Sequence, residues 1–117
     1  SSRRRHTRYI SLTGVQTCAL PICLDKKNHV ELRLKTRPTH LEYLKSQSAK
    51  LFAAGPVLSP DGKVPIGSLL LVEAKDEAEV KEILAGDPYD KVGLFETMTI
   101  MPWRKVFSHP EVGGPPG

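Results

Sequence analysis

The chain has 117 residues, 39% of them apolar and 26% charged, which is enough for one small domain with one modest core. This length excludes a second large domain, and the composition argues against general disorder. No apolar run approaches the roughly 18–20 residues of a membrane-spanning helix, so we expect a soluble chain with no membrane partner. The net charge of +4 would favour a nucleic-acid partner if it were spread over the domain.

The excess positive charge is confined to the first 22 residues. This segment contains four arginines and no acidic residue, so residues 23–117 are neutral overall. The run Thr13–Ile22 resembles the translation of a DNA adapter used in sequencing libraries, and Ser1–Arg8 resembles the far end of that adapter. We therefore interpret residues 1–22 as an assembly artefact, rather than as a basic arm or a secretory signal. No nucleic-acid partner is expected.

The first part of the remaining chain predicts one helix. Residues 24–35 show no firm period and are predicted as a loop with one helical turn. The sequence Thr36-Arg37-Pro38-Thr39 is typical of a helix start, because a hydroxyl can cap the helix and proline is tolerated in its first turn. Leu41 and Leu44 continue an apolar stripe, which predicts a helix at 37–49.

The second part predicts alternating strands and helices. The elements are, in order, a strand at 51–58, a turn at 59–62, a strand at 66–74, a helix at 77–85, a turn at Asp87-Pro88-Tyr89 and a strand at 94–101. Asp76 and Glu79 resemble a capping box at the start of the second helix, and Gly86 is suited to its end. The tail at 108–117 is predicted to be disordered.

The order of these elements matches a ferredoxin-like βαββαβ sandwich of the α+β class that lacks its first strand. Residues 17–24 are the stretch available for that strand, although Pro21 cannot donate a hydrogen bond to a neighbouring strand. We therefore expect the chain to be less stable than an intact relative. Leu69–Val72 is apolar on both alternating faces, whereas two helices cover only one face of a four-stranded sheet. This predicts a homodimer formed through the second face.

Five short motifs occur in a consistent order along the chain. They are Arg37-Pro38-Thr39-His40-Leu41, Ala54-Gly55-Pro56, Gly67-Ser68, Asp87-Pro88-Tyr89 and Pro102-Trp103. On these motifs, residues 23–107 resemble the YCII-related domain family of YciI-like proteins. The resemblance implies a dimeric ferredoxin-like α/β-barrel whose first strand lies inside the sheet and is here damaged or replaced. We place such a protein in the cytoplasm.

The same resemblance pairs His40 with Asp87 as the candidate catalytic residues. From the residues alone, His40 lies at the edge of the apolar stripe in the first turn of its helix. Asp87 precedes a proline, a position where aspartate commonly starts a turn. If Asp87 accepts a hydrogen bond from one ring nitrogen of His40, it fixes the tautomer and leaves the other nitrogen free for acid/base chemistry.

Five further residues are candidates for binding a substrate. Arg37, one turn before His40, has the charge to hold a carboxylate or an enolate, with a solvated surface arginine as the equal alternative. Ser68 can donate a hydrogen bond into the same cleft, and Gly55, like Gly67, permits close approach of the backbone. Pro56 and Tyr89 are candidate pocket walls.

We predict no metal site and no cofactor. His29 and His109 lack metal-ligand spacing with any neighbour, and no phosphate-binding glycine motif occurs. The resulting hypothesis is a small dimeric protein in which His40 and Asp87 act on a small organic acid by elimination or isomerisation. The resemblance includes relatives of the dehydrochlorinase type. The alternative is a non-catalytic module that binds a small ligand in the same cleft.

Overall fold

The structure, a computed structural model, describes residues 6–9, 17–104, 106 and 107. Its elements are β1 (His6–Tyr9), β2 (Thr17–Asp25), α1 (Val30–Ser46), β3 (Leu51–Leu58), β4 (Pro65–Ala74), α2 (Glu77–Ala85), α3 (Pro88–Lys91) and β5 (Phe95–Trp103). The tail for which we predict disorder lies outside the described residues.

The strands form one five-stranded sheet in the order β1-β5-β2-β4-β3. Strand β2 lies between β5 and β4 and is antiparallel to both, so it occupies the place of the missing first strand. The ferredoxin-like α+β fold is thereby confirmed. Strand β1, which pairs in parallel with the outer edge of β5, is an addition that the sequence did not predict.

The central strand β2 forms despite its proline. Its register with β4 is the same before and after Leu20 and Pro21, but these two residues are not paired with β4. Proline has no backbone N–H, so it interrupts a ladder without changing the register. Pro21 is instead fully buried, as are Ala19 and Cys23 on the same face of the strand. Burial on this face compensates for the gap in the ladder.

The core lies on one face of the sheet. In β4 the inward residues Leu70, Val72 and Ala74 are buried, whereas Leu69 is 37% exposed. The side chains of a strand alternate between the two faces of a sheet. The expected covering of both faces is therefore not met within a single chain.

Helix α1 differs from its prediction at both ends. It begins at Val30 rather than at Arg37, ends at Ser46, and contains Pro38 in its interior. Leu41, assigned to the apolar stripe, is 38% exposed. The buried positions of the helix are polar, namely Arg33, Thr36 and His40. Polar contacts made by this inner face hold the extra turns, and they put His40 in the middle of the helix rather than in its first turn.

Helix α2 confirms the predicted span at 77–85. The carboxylate of Asp76 accepts a hydrogen bond from the backbone N–H of Glu79 at 2.9 Å. The Glu79 carboxylate accepts the return bond from the N–H of Lys75 at 2.8 Å rather than from that of Asp76. The predicted capping box is therefore present with its return bond moved back by one residue.

Gly86 ends α2 for a reason of space. Its φ of −81° is one that any residue adopts. A Cβ at this position, however, would lie 2.5 Å from the hydroxyl oxygen of Tyr43. The Tyr43 hydroxyl donates a hydrogen bond to the carbonyl of Ile83 at 2.6 Å. The glycine thus lets α1 pack against the end of α2, immediately before Asp87.

The segment predicted as a turn at Asp87–Tyr89 starts a short helix instead. Asp87 is the N-cap of α3, and its carboxylate accepts a hydrogen bond from the backbone N–H of Tyr89 at 2.9 Å. Proline suits the first position of a helix because it has no N–H to satisfy there. The Asp-Pro pair therefore does start a local structure, which continues as a helical turn.

Two glycines of the predicted motifs provide a test of backbone packing. An added Cβ at Gly67 would lie 2.3 Å from the carbonyl oxygen of Cys23, whereas nothing lies within 4 Å of the corresponding point at Gly55. The expected close approach is therefore present at Gly67 and absent at Gly55.

We expect Gly67→Ala to lower the free energy of unfolding by about 1–3 kcal/mol, because β2 and β4 must separate. Gly55→Ala, the matched control, should be neutral or slightly stabilising. Equal losses in urea unfolding would contradict this account.

Candidate functional site

A cavity of about 360 Å³ lies between α1 and the strands β3 and β4. Six of the candidate site residues line it, namely Arg37, His40, Gly55, Pro56, Ser68 and Tyr89. Leucines and prolines form much of the remaining wall, including Leu34 and Leu44. Asp87 does not line the cavity and is 2% exposed. The structure thus brings the candidate residues together, with Asp87 behind His40.

His40 and Asp87 form a buried hydrogen-bonded pair, 47 residues apart in the chain. Nδ1 of His40 lies 2.7 Å from Oδ1 of Asp87. An ionised carboxylate only accepts hydrogen bonds, so Nδ1 carries the proton in this contact. Because Asp87 binds Nδ1 from behind, Nε2 is the ring nitrogen left for the cavity. This arrangement is typical of a histidine oriented for proton transfer.

One carboxylate oxygen combines two structural functions. Oδ1 of Asp87 accepts the His40 hydrogen bond and also the bond from the backbone N–H of Tyr89. The local interpretation of Asp87 as a turn former and its pairing with His40 are therefore both present in the structure. The cap fixes the carboxylate, and the carboxylate in turn fixes the imidazole.

The ring of Tyr89 lies between two residues of α1. It stacks on the His40 ring with 3.9 Å between the ring centres and an angle of 17° between the planes. The guanidinium carbon of Arg33 lies 4.5 Å from the centre of the same ring. Arg33 precedes His40 by seven residues, which is about two helical turns. Tyr89 therefore fills the space between them and fixes the position of each.

Arg33 is the site residue that the sequence analysis missed. Its side chain is 4% exposed and lines the cavity. Nε donates to Oδ2 of Asp25 at 2.6 Å, and Nη2 donates to Oδ1 of Asp25 at 3.2 Å. Nη2 also donates to the hydroxyl oxygen of Ser68 at 2.7 Å. The spacing of residues 33, 36 and 40 could have indicated Arg33, because these positions share one helix face and are all polar.

The structure distinguishes the other two polar candidates. Arg37 lines the cavity but is exposed, so its guanidinium lies at the mouth. Ser68 is 3% exposed, and its oxygen accepts the bond from Arg33. Ser68 therefore contributes to the site by holding Arg33 as well as by forming part of the wall.

Burial changes the acidity of both tyrosines near the site. Desolvation raises the pKa of Tyr89, and the Arg33 guanidinium partly opposes this shift. Desolvation also raises the pKa of Tyr43, with the negative charge of Asp87 adding to the effect. Both phenols consequently keep their protons at neutral pH.

The described part of the chain has neither a cluster of metal-ligating side chains nor a membrane-spanning helix. No group of three or more His, Cys, Asp or Glu side chains that could hold a metal ion occurs there. No helix among the same residues is long and apolar enough to cross a membrane.

The fold and the motifs identify the family. The model of the YCII-related domain matches residues 19–104, so the chain belongs to that family. The protein YciI of Escherichia coli O6:H1 is 31% identical over 90 residues, covering 71% of this chain and 92% of YciI. In Emericella nidulans, the "derivative of benzaldehyde biosynthesis cluster protein C" is 36% identical over 72 residues, covering 55% of this chain and 74% of that protein.

A solved structure shares the fold. The 5-chloro-2-hydroxyhydroquinone dehydrochlorinase TftG from Burkholderia phenoliruptrix AC1100 superposes with a TM-score of 0.69 at 30% sequence identity. The match covers 76% of this chain and 95% of TftG, which was solved in complex with 2,5-dihydroxybenzoquinone.

The Arg33–Asp25 ion pair provides a test of the cavity wall. The Asp25 side chain is 6% exposed, so Asp25→Asn leaves a buried guanidinium without its counter-charge. We expect the free energy of unfolding to fall by about 3–5 kcal/mol. Glu77→Gln, which breaks the exposed pair of Glu77 with Lys81, is the control and should change it by about 0–1 kcal/mol. Similar losses in both variants during denaturant unfolding would show that Arg33 does not depend on Asp25.

Proposed function

We propose that the chain is a proton-transfer enzyme that acts on a small organic acid, by elimination or isomerisation, through Nε2 of His40. The observation on which this depends is the buried contact between Nδ1 of His40 and Oδ1 of Asp87, with His40 lining a cavity and Asp87 behind it. In an elimination, Nε2 takes a proton from carbon as the leaving group departs with its electron pair. An isomerisation returns that proton to a different atom of the substrate.

The roles of the two residues differ in this proposal. His40 contacts the substrate and is the catalytic base. Asp87 is a positioning residue, because it reaches the substrate only through His40. Its charge stabilises the imidazolium that forms when Nε2 accepts a proton. Removing that charge should slow the chemical step without changing the shape of the cavity.

The substrate class follows from the cavity and from the relatives. Apolar walls and a few convergent polar groups suit a small, flat organic molecule. TftG is named for a chlorinated hydroxyhydroquinone, and the Emericella nidulans protein is named for a benzaldehyde-derivative cluster. We therefore propose a small organic acid derived from an aromatic ring, with 5-chloro-2-hydroxyhydroquinone as the first compound to test.

His40→Gln should lower kcat for chloride release from 5-chloro-2-hydroxyhydroquinone by about 10²–10⁴-fold, because general-base catalysis is lost. Asp87→Asn keeps an oxygen acceptor and loses the charge, so we expect a lower kcat with little change in KM. Asp76→Asn is the matched control, since Asp76 caps α2 outside the cavity. It should leave kcat unchanged.

Steady-state kinetics on the three variants decides between catalysis and ligand binding without turnover as the function of the cavity. Full activity in His40→Gln would eliminate the proposed base. If 2,5-dihydroxybenzoquinone binds to the wild-type protein with no turnover of any chlorinated or isomerisable analogue, the chain is a ligand-binding module instead.

We also propose that the functional form is a homodimer. The outer face of the central sheet exposes Leu24, Leu69 and Met101 at 37–41%. An apolar surface of this kind on a small domain favours burial against a second copy. A dimer built in this way would cover the face that a single chain leaves open.

Light scattering tests the dimer directly. We expect the wild-type mass to be twice that of one chain, and Leu69→Lys to shift it to one chain by placing a charge in the interface. Val92→Lys is the control, because Val92 is similarly exposed, at 45%, but follows α3 rather than lying on the sheet. A monomeric wild-type protein would refute the proposal.

A further inference from the structure

One edge of the Arg33 guanidinium has no partner among the described residues. A guanidinium has five N–H donors. The donors on Nε and Nη2 bind Asp25 and Ser68, whereas no described residue accepts a hydrogen bond from Nη1. This side chain is 4% exposed and lines the cavity. The free donors therefore belong to a buried wall rather than to the surface.

The hydroxyl of Tyr89 is a second buried donor without a partner. The residue is 1% exposed and lines the same cavity. Its backbone N–H binds Asp87, and its ring packs on His40 and Arg33. Within the described residues, nothing accepts a hydrogen bond from its O–H. Burial raises the pKa of this phenol, which keeps it protonated and able to donate.

Buried donors are almost always satisfied in native proteins, by protein groups, water or ligand. Here two of them line the same small cavity, and the ring of Tyr89 packs directly on the Arg33 guanidinium. Hydrogen-bond donors bind an acceptor atom with lone pairs, and the positive charge of a guanidinium favours an acceptor that is negatively charged. Asp25 already occupies the opposite edge of Arg33, so it does not compete for Nη1.

We propose that Nη1 of Arg33 and the hydroxyl of Tyr89 form an oxyanion subsite for the ligand. It holds a carboxylate, phenolate or enolate oxygen, while Nε2 of His40 handles the proton on the other side of the Tyr89 ring. This inference deepens the proposed function and rests on it for the choice of cavity. It assigns to Arg33 the anion-binding task that the sequence suggested for Arg37, which lies exposed at the mouth.

The test compares two tyrosines whose hydroxyl groups have different surroundings. The Tyr43 hydroxyl has a protein partner, the carbonyl of Ile83, and Tyr43 does not line the cavity. Tyr89→Phe removes only the free hydroxyl and retains the ring between His40 and Arg33. Tyr43→Phe is therefore a matched control with the same chemical change and the opposite expectation.

The probes are 4-nitrophenol and benzoate. The visible absorption of 4-nitrophenolate reports whether the bound phenol is ionised, and benzoate tests a carboxylate in the same place. Benzyl alcohol serves as the neutral comparison. We expect the wild-type protein to bind both anions and not the alcohol, and to bind 4-nitrophenol in its ionised form.

Tyr89→Phe should weaken anion binding by at least about tenfold, the usual effect of losing a hydrogen bond to a charged group, with no decrease in Tm. Tyr43→Phe should bind within about twofold of wild type and melt at a lower temperature. Unchanged anion affinity in Tyr89→Phe would overturn the subsite, and so would a drop in Tm equal to that of Tyr43→Phe. A wild-type protein that binds neither anion would also overturn it.

The experiments distinguish failure of the oxyanion subsite from failure of the proton-transfer function. If Tyr89→Phe weakens anion binding while His40→Gln retains full turnover, the subsite stands and the proton-transfer function falls. If turnover depends on His40 while Tyr89→Phe binds both anions normally, the function stands and the subsite falls. Binding of only one anion identifies the ligand oxygen as a carboxylate or as a phenolate.

Discussion

Burial of the Arg33 charge is the constraint that organises this domain. A guanidinium taken out of water destabilises the folded state unless a counter-charge and hydrogen-bond acceptors surround it. Asp25 at the end of β2, Ser68 on β4 and the face of Tyr89 supply that surrounding. These three residues come from distant parts of the chain, so satisfying one charge fixes α1 against the sheet and against α3. The cavity is the space that this arrangement leaves.

The same constraint explains which parts of the fold the sequence predicted. Strand β3 and helix α2 match their predicted spans because their turn and capping residues act locally. The predicted start of α1 is seven residues too late and its predicted end three residues too late, because apolar periodicity predicts the helix whereas its inner face is polar. Pro38 reinforced the error, since proline usually marks a first turn. Tertiary contacts override that preference on both sides of the proline, through Arg33 before it and through His40 after it.

Only the part of the candidate site that lies in the family motifs could be predicted from the sequence. His40 and Asp87 have little individual meaning, since histidine near an apolar stripe and aspartate before proline are common in ordinary structure. Their contact across 47 residues follows from the packing of α1 on α3, which no local pattern reveals. The family resemblance supplied the pairing that residue chemistry alone left open. It did not supply Arg33, which lies outside those motifs and whose partners come from β2, β4 and α3.

Tyr89 shows why a wall residue in such a cavity does more than fill space. Its backbone N–H fixes the Asp87 carboxylate, and its ring separates the Arg33 charge from the His40 imidazole. With the ring between them, the proposed anion-binding subsite and the proposed base lie at different ends of the cavity. A base and an anion-binding group are most useful together when each reaches its own atom of the ligand, and the Asp-Pro-Tyr turn sets that separation.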